Sequence, residues 1–111
     1  MDERYSGLIR RLREAALGGS GVTDSSLRRA VEAHAAMLGG RPGADAGVPA
    51  ALTAYVDKVA QHAFEVTHDD VDGLRRAGYS EDAIFEITAS AALGAGLGRL
   101  ERGLAALKGA I

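Results

Sequence analysis

Apolar residues recur along this chain at the three- and four-residue intervals of an amphipathic helix, and no segment shows the strict alternation of a half-buried strand. The first such segment, residues 2–17, stops at Gly18 and Gly19, because glycine readily adopts the conformation that closes a helix. A second segment follows the capping residues at 23–25 and ends at Gly39. The pattern therefore predicts two helices in the first third of the chain.

A loop over residues 41–48 separates these helices from the remainder. Pro49 is placed as the first residue of a third helix, where its missing N–H costs nothing, and the apolar stripe continues to about Val66. Thr67 and Asp70 then form the spacing of a capping box, which predicts the start of a short fourth helix.

The last predicted helix, residues 81–107, follows a capping serine, Ser80, and is apolar on two sides. One stripe comprises Leu93, Leu97, Leu100, Leu104 and Leu107. The other comprises Ile84, Ile87, Ala91, Gly94 and Gly98. Because a helix that is apolar on two sides is buried on two sides, we expect one stripe to contact a second subunit; the alternative is a tightly packed monomer. The predicted fold is all-α: one domain over 1–111, built as a compact bundle of five or six helices.

The composition is that of an ordinary globular domain, with 47% hydrophobic and 25% charged residues in 111. The net charge is −2 and the basic residues do not cluster. Arg10, Arg11 and Arg13 are diluted by Glu3 and Glu14, which is typical of a solvated helix face. We therefore expect no nucleic-acid binding.

The chain contains no cysteine, which excludes disulfides, thiolate metal sites and cysteine nucleophiles within it. Its start, Met1-Asp2-Glu3, is unlike a secretory signal. No apolar run approaches the ~20 residues that span a bilayer. These features predict a cytoplasmic protein that does not interact with a membrane.

Between about residue 52 and residue 107 the order of features is specific. The segments concerned are 55–60, 66–71, 74–80, 84–87 and 99–101, which read YVDKVA, VTHDDV, LRRAGYS, IFEI and RLE. They resemble the core of the carboxymuconolactone decarboxylase and alkylhydroperoxidase D superfamily. That resemblance covers about half the chain and implies an all-helical unit with a helix hairpin, assembled as a trimer or hexamer.

The catalytic positions of the peroxidase branch are replaced in this sequence. Counted back from Gly78, the branch's Cys-x-x-Cys-x-x-x-His motif places its histidine at Asp70 and its cysteines at Val66 and Ala63. The branch's proton-relaying glutamate falls near Ala51. A disulfide-cycling peroxidase needs an attacking and a resolving thiol, so the resemblance does not carry that activity to this chain.

A polar cluster at the same junction offers a different chemistry. Glu65 and His68 are three residues apart, close enough on a helix for one to orient the other, and His62 precedes them. The decarboxylase and lactone-processing branch works without the cysteine pair, so His62, Glu65 and His68 are candidate catalytic residues. The structural interpretation is stronger, because His68 and its acidic neighbours also fit as caps of a helix N-terminus.

A metal site built from His62, Glu65 and Asp69 is disfavoured, because di-metal bundles need Glu-x-x-His on two helices and this chain has it once. We predict no metal and no cofactor. His34 lies on the apolar face of the second helix and is more often a packed histidine than a catalyst.

Arg99 is the one candidate binding residue. A buried guanidinium needs a carboxylate or an anionic ligand, and Glu86 of a neighbouring helix or subunit is the predicted ion-pair partner. The alternative is a clamp for a substrate carboxylate. The glycines of Gly94-x-Gly96-x-Gly98 lie within a helix, so they predict close helix packing rather than a nucleotide site.

Two functions follow. The leading hypothesis is a non-thiol superfamily member that acts as a homo-oligomeric binding or accessory protein without peroxidase activity. The alternative is a cofactor-free acid–base enzyme of the decarboxylase or lactone type, which would bind a small acidic molecule in a pocket lined by His62, Glu65 and His68. A helical interaction module unrelated to the superfamily is a third option.

Overall fold

The computed structural model describes residues 3–109, and their regular structure is entirely helical. The five α-helices are α1 (Glu3–Arg13), α2 (Ser25–Gly39), α3 (Ala50–Gln61), α4 (His68–Arg76) and α5 (Glu81–Leu107). A π-helical turn, Glu14–Gly18, extends α1, and a 3-10 turn, Ala63–Glu65, follows α3. The predicted all-α bundle is confirmed for this part of the chain.

Side-chain caps fix three helix starts where the sequence predicts them. The carboxylate of Asp24 accepts the Ser26 N–H ahead of α2, and the hydroxyl of Ser80 accepts the Ala83 N–H ahead of α5. At α4 the capping box is complete, since Thr67 and Asp70 each bond the other's backbone N–H. Each bond satisfies an N–H that has no partner within the helix.

Two predicted boundaries of the third helix are wrong, its start by one residue and its end by about five. Pro49 is the N-cap of α3 rather than its first helical residue. The same helix ends at Gln61 instead of Val66, because His62 adopts a non-helical backbone conformation and the chain then makes the 3-10 turn. The first predicted helix does continue to residue 18, with a π-helical last turn, and its residue 2 lies outside the described residues.

The bundle is organised around the contact between α2 and α5, which have the most extensive packing of any two helices. A Cβ built at Gly94 would lie 2.2 Å from the carbonyl oxygen of Glu32, and one at Gly98 would lie 2.3 Å from that of Ala36. Neither distance leaves room for a side chain. The two glycines therefore let the backbones touch, as predicted for close helix packing.

One of the two predicted stripes on α5 is buried within the protomer. Ile84, Ile87, Ala91, Gly94 and Gly98 all lie in the interior. The core comprises Val31, Ala35, Leu52, Tyr55, Val56, Ala60, Leu74, Ile84, Ile87, Ala91 and Ala95. α3 covers this core from one side, and α4 contributes Leu74 from its end.

The leucine stripe of α5 is divided along its length. Leu97 is buried, whereas Leu100 is 46% exposed and Leu107 is 82% exposed. α1 lies at this end of the molecule and leaves Leu8 and Leu12 about half exposed. The described chain measures 46 × 28 × 23 Å, and none of its helices is both long and apolar enough to cross a bilayer.

Candidate functional site

A cavity of about 290 Å³ lies at the junction of α3 and α4. Its walls are formed by Ala51, Ala54, Tyr55, Lys58, Asp69, Asp70, Gly73 and Leu74. α3 contributes the residues spaced by three and four from Ala51 to Lys58, and the first turns of α4 contribute the rest. Ala51 and Asp70 face the same space, although they are 19 apart in sequence.

A fixed ion pair forms the polar wall of this cavity. Lys58 Nζ donates to both carboxylate oxygens of Asp70, at 3.1 and 3.0 Å. The backbone N–H of Thr67, and then the Lys58 ammonium, hold the pKa of Asp70 below its usual range. Asp70 is therefore a carboxylate at neutral pH, and its oxygens are occupied by the helix cap and the lysine.

The remaining polar groups make the cavity weakly acidic. Asp69 is an exposed carboxylate at the rim, so the walls carry one cation, Lys58, and two anions. The Tyr55 hydroxyl hydrogen-bonds the Thr88 hydroxyl at 2.7 Å. Such a site suits a small neutral or cationic molecule better than an acid, because two carboxylates repel a third.

The three predicted catalytic residues do not form the walls of the cavity. His62, Glu65 and His68 are all exposed, and none of them lines it. Glu65 belongs to the 3-10 turn and His68 begins α4. The expectation that both share one helix is therefore wrong, because α3 ends before either residue.

The two histidines of this group have local contacts. His68 Nε2 lies 3.0 Å from Asp72 Oδ2, one turn further along α4. The His62 ring meets the ring of Phe64 edge-on, with centroids 6.2 Å apart. Within residues 3–109 no three His, Asp or Glu side chains converge into a cluster that could hold a metal ion.

Arg99 does not pair with Glu86 within the protomer. Its Nη2 donates to the carbonyl oxygen of Ala60 at 2.6 Å, and the residue is exposed. That bond satisfies a carbonyl in the last turn of α3 and joins the helix to α5. The expected buried ion pair is therefore absent from the described chain.

The Glu86 carboxylate is instead held by the loop ahead of α2. It accepts the N–H groups of Val22 and Thr23, each at 2.9 Å, and the Thr23 hydroxyl. The Thr23 hydroxyl first, and then the two N–H groups, lower the pKa of Glu86 to about 2. A built Cβ at Gly21 would lie 2.8 Å from this carboxylate, so a side chain there would displace Glu86 from its present position.

A buried ion network, which the sequence analysis did not find, joins α1, α2 and α5. The fully buried Glu32 carboxylate accepts from Arg13 Nε at 3.0 Å and from Arg41 Nη1 at 2.9 Å. Arg41 Nε also donates to Glu101 at 2.8 Å. Burial alone would raise the pKa of Glu32, but hydrogen bonds from Arg41 and then Arg13 outweigh it and leave the pKa below its usual value.

His34 forms a cross-link between two helices. Its Nε2 lies 2.6 Å from Asp57 Oδ1, and the ring is largely buried between α2 and α3. This contact agrees with the interpretation of His34 as a packed histidine.

No family model, no curated protein and no solved structure matches the chain.

Proposed function

We propose that this chain is a cysteine-free member of the carboxymuconolactone decarboxylase and alkylhydroperoxidase D superfamily, and that it serves as a homo-oligomeric binding or accessory protein. One observation carries the proposal. Ala51 and Asp70, the positions that the resemblance aligns with the peroxidase branch's glutamate and histidine, line one cavity. This shared cavity supports the proposal, because the two positions are far apart in sequence.

The chemistry of that cavity supports binding rather than peroxide reduction. The chain has no thiol, and the aligned positions carry a methyl group and a carboxylate already engaged by Lys58 and Thr67. A peroxidase of this type needs a thiolate that is regenerated by a second thiol. What remains is a concave surface with one ion pair and an apolar floor, which could hold a small neutral or cationic molecule.

The acid–base alternative receives less support from the geometry. It requires a shared pocket lined by His62, Glu65 and His68, but these side chains are exposed and lie outside the cavity. General acid–base catalysis depends on a group within hydrogen-bond reach of a bound substrate. A small acidic ligand would rely on Arg99, whose guanidinium has N–H groups beyond the one bound to Ala60.

Native mass spectrometry and an activity assay together test the proposal. Protein purified without tags or chelators should give a symmetric oligomer, and the same sample mixed with a hydroperoxide and a dithiol donor should show no turnover above buffer. Turnover would contradict the accessory role. A monomer at every concentration would contradict the assembly. A bound small acid at one per protomer would instead favour the enzyme alternative.

A further inference from the structure

α5 has an outer face that no other helix of the described chain covers. Its exposed members, spaced by three and four, lie within about 80° of one another at 100° per residue. They are Phe85, Ala89, Ala92, Gly96, Leu100, Gly103 and Leu107. None is charged. Phe85 is 72% exposed and Leu107 is 82% exposed, so the largest side chains at the two ends face solvent.

The outer face is symmetric about Gly96. Ala92 and Leu100 lie four residues before and after it, Ala89 and Gly103 lie seven, and Phe85 and Leu107 lie eleven. An antiparallel copy of α5 that crosses at Gly96 would therefore place Ala89 against Gly103 and Ala92 against Leu100 near the crossing, so that every pair there includes a small residue. Its two ends would set Phe85 of one protomer beside Leu107 of the other.

Each end of the outer face borders a cavity that could receive the opposite end of a second copy. An apolar groove of about 460 Å³ adjoins the C-terminal end. It is lined by Tyr5, Leu8, Ile9, Leu100, Leu104 and Leu107. Phe85 borders a smaller cavity of about 300 Å³, whose walls include Val71, Ile84 and Thr88. An exposed aromatic ring and an apolar groove are thus separated by the length of the same helix.

The charges along α5 also favour an antiparallel partner. Glu81 and Asp82 occupy its first turn, whereas Lys108 is its C-cap. Glu81 already pairs with Arg75 of its own chain, so Asp82 and Lys108 are the two of these charges that have no ion pair among the described residues. In an antiparallel pair the acidic end of one helix lies beside the basic end of the other, and the two helix dipoles oppose each other.

We propose that a second copy of this chain packs on the outer face of α5 by a two-fold axis that passes near Gly96. Phe85 of each protomer enters the apolar groove between α1 and the C-terminal half of α5 of its partner. The proposal rests on the homo-oligomer of the proposed function and specifies its interface. Because the axis is two-fold, it defines a dimer, which is either the complete assembly or the unit of a larger one.

The size of this surface fits a dimer interface. Residues 85–107 extend for about 33 Å at 1.5 Å per residue, and α1 widens the C-terminal half to about two helix diameters, or ~20 Å. A stable interface buries about 800 Å² on each partner, which is the scale of that strip. The apolar stripe of α1 would also gain the cover that it lacks in the protomer.

Single cysteines test this geometry without interference, because the chain has none of its own. Helix axes about 8–10 Å apart at the crossing, with Cα atoms about 2.3 Å from each axis, bring facing Cα atoms to about 3.4–5.4 Å, which reaches the range that a disulfide spans. A Cβ at Gly96 meets nothing within 4 Å, so Gly96→Cys should fold normally. Under mild oxidation we expect this variant to become a covalent dimer.

Position-matched variants serve as controls. Ala89→Cys or Gly103→Cys alone should cross-link at least about tenfold more slowly, because each sulfur faces a different position on the partner. An equimolar mixture of the two should form the mixed dimer readily. Cross-linking of Ala89→Cys with itself as fast as Gly96→Cys would overturn the antiparallel arrangement, as would a Gly96→Cys chain that stays uncross-linked.

Light scattering on the unmodified chain distinguishes the proposed interface from the proposed homo-oligomeric role. An oligomer whose Gly96→Cys variant does not cross-link would contradict the interface and leave the homo-oligomeric role intact. A monomer at all concentrations would contradict both. A trimer without two-fold contacts, seen by native mass spectrometry of the unmodified chain, would overturn only the interface.

Discussion

The two sides of α5 use glycine for opposite purposes. On the inner side Gly94 and Gly98 touch the backbone of α2, where a Cβ would lie within 2.3 Å of a carbonyl oxygen. On the outer side Gly96, only two residues from each, has nothing within 4 Å of a built Cβ. The same residue type is required by packing on one side and is unconstrained by the protomer on the other. A Gly-x-Gly-x-Gly run therefore marks two surfaces, one closed by the chain itself and one left open.

Glu32 anchors the inner side, because its carbonyl touches Gly94 while its carboxylate binds two arginines. The largest loss of stability should come from Arg41→Met, which leaves a fully buried carboxylate with Arg13 as its one remaining partner among the described residues. We expect a loss of about 3 kcal/mol in the free energy of unfolding. Urea denaturation at fixed protein concentration measures it.

Arg29→Met is the matched control for that variant. Arg29 pairs with Glu14 on the surface, where both side chains are well exposed, so its loss should change stability by less than about 1 kcal/mol. Equal losses at Arg29 and Arg41 would show that burial of Glu32 adds nothing to the contact between α2 and α5.

Substitution of one glycine on each side of α5 shows directly how the two sides differ in their effect on the free energy of unfolding. Gly94→Ala should lose about 2 kcal/mol, because overpacking against the α2 backbone outweighs the gain in helix propensity. Gly96→Ala should gain about 0.5–1 kcal/mol, because only the propensity changes. Both variants are compared in a Phe85→Asp background, so that assembly does not enter the unfolding measurement.

A smaller loss of stability is expected when Glu86 is substituted. Its carboxylate joins α5 to the loop ahead of α2 by hydrogen bonds. Its pKa in the folded protein is about 2, against an ordinary value of 4.5. A lowered pKa contributes stability that is present above about pH 4.5 and is lost as the pH falls towards 2. Glu86→Gln should therefore lower the Tm at pH 7, and the difference from the unmodified chain should shrink between pH 5 and pH 2. A difference that is constant across this range would contradict the hydrogen-bonded carboxylate.

The sequence predicts the helix starts best, because residues next to each start determine it. The caps at Asp24, Thr67 and Ser80 are set by neighbouring residues, and their helices begin where the pattern places them. The end of α3 depends on how the chain folds back after His62, which periodicity does not contain. The helical spacing assumed for Glu65 and His68 failed for this reason.

The ion network and the cavity were harder to predict, because their members are distant in sequence. Arg13 and Glu32 are 19 residues apart, and Arg41 and Glu101 are 60 apart. One signal was present: Glu32 lies next to Val31 on the buried face of α2, and a buried carboxylate there needs a cationic partner. For the cavity, the resemblance indicated Ala51 and Asp70, but nothing local indicated Lys58 as the partner of Asp70.

The proposed dimer requires that a second copy of the chain packs on the outer side of α5. Sedimentation velocity on Phe85→Ser tests it, with Phe64→Ser as control, because Phe64 is 85% exposed and lies away from α5. We predict that Phe85→Ser weakens self-association by at least about 30-fold, the effect of losing an aromatic anchor worth ~2 kcal/mol, while Phe64→Ser leaves it unchanged. Equal association in both variants and the unmodified chain would contradict the claim.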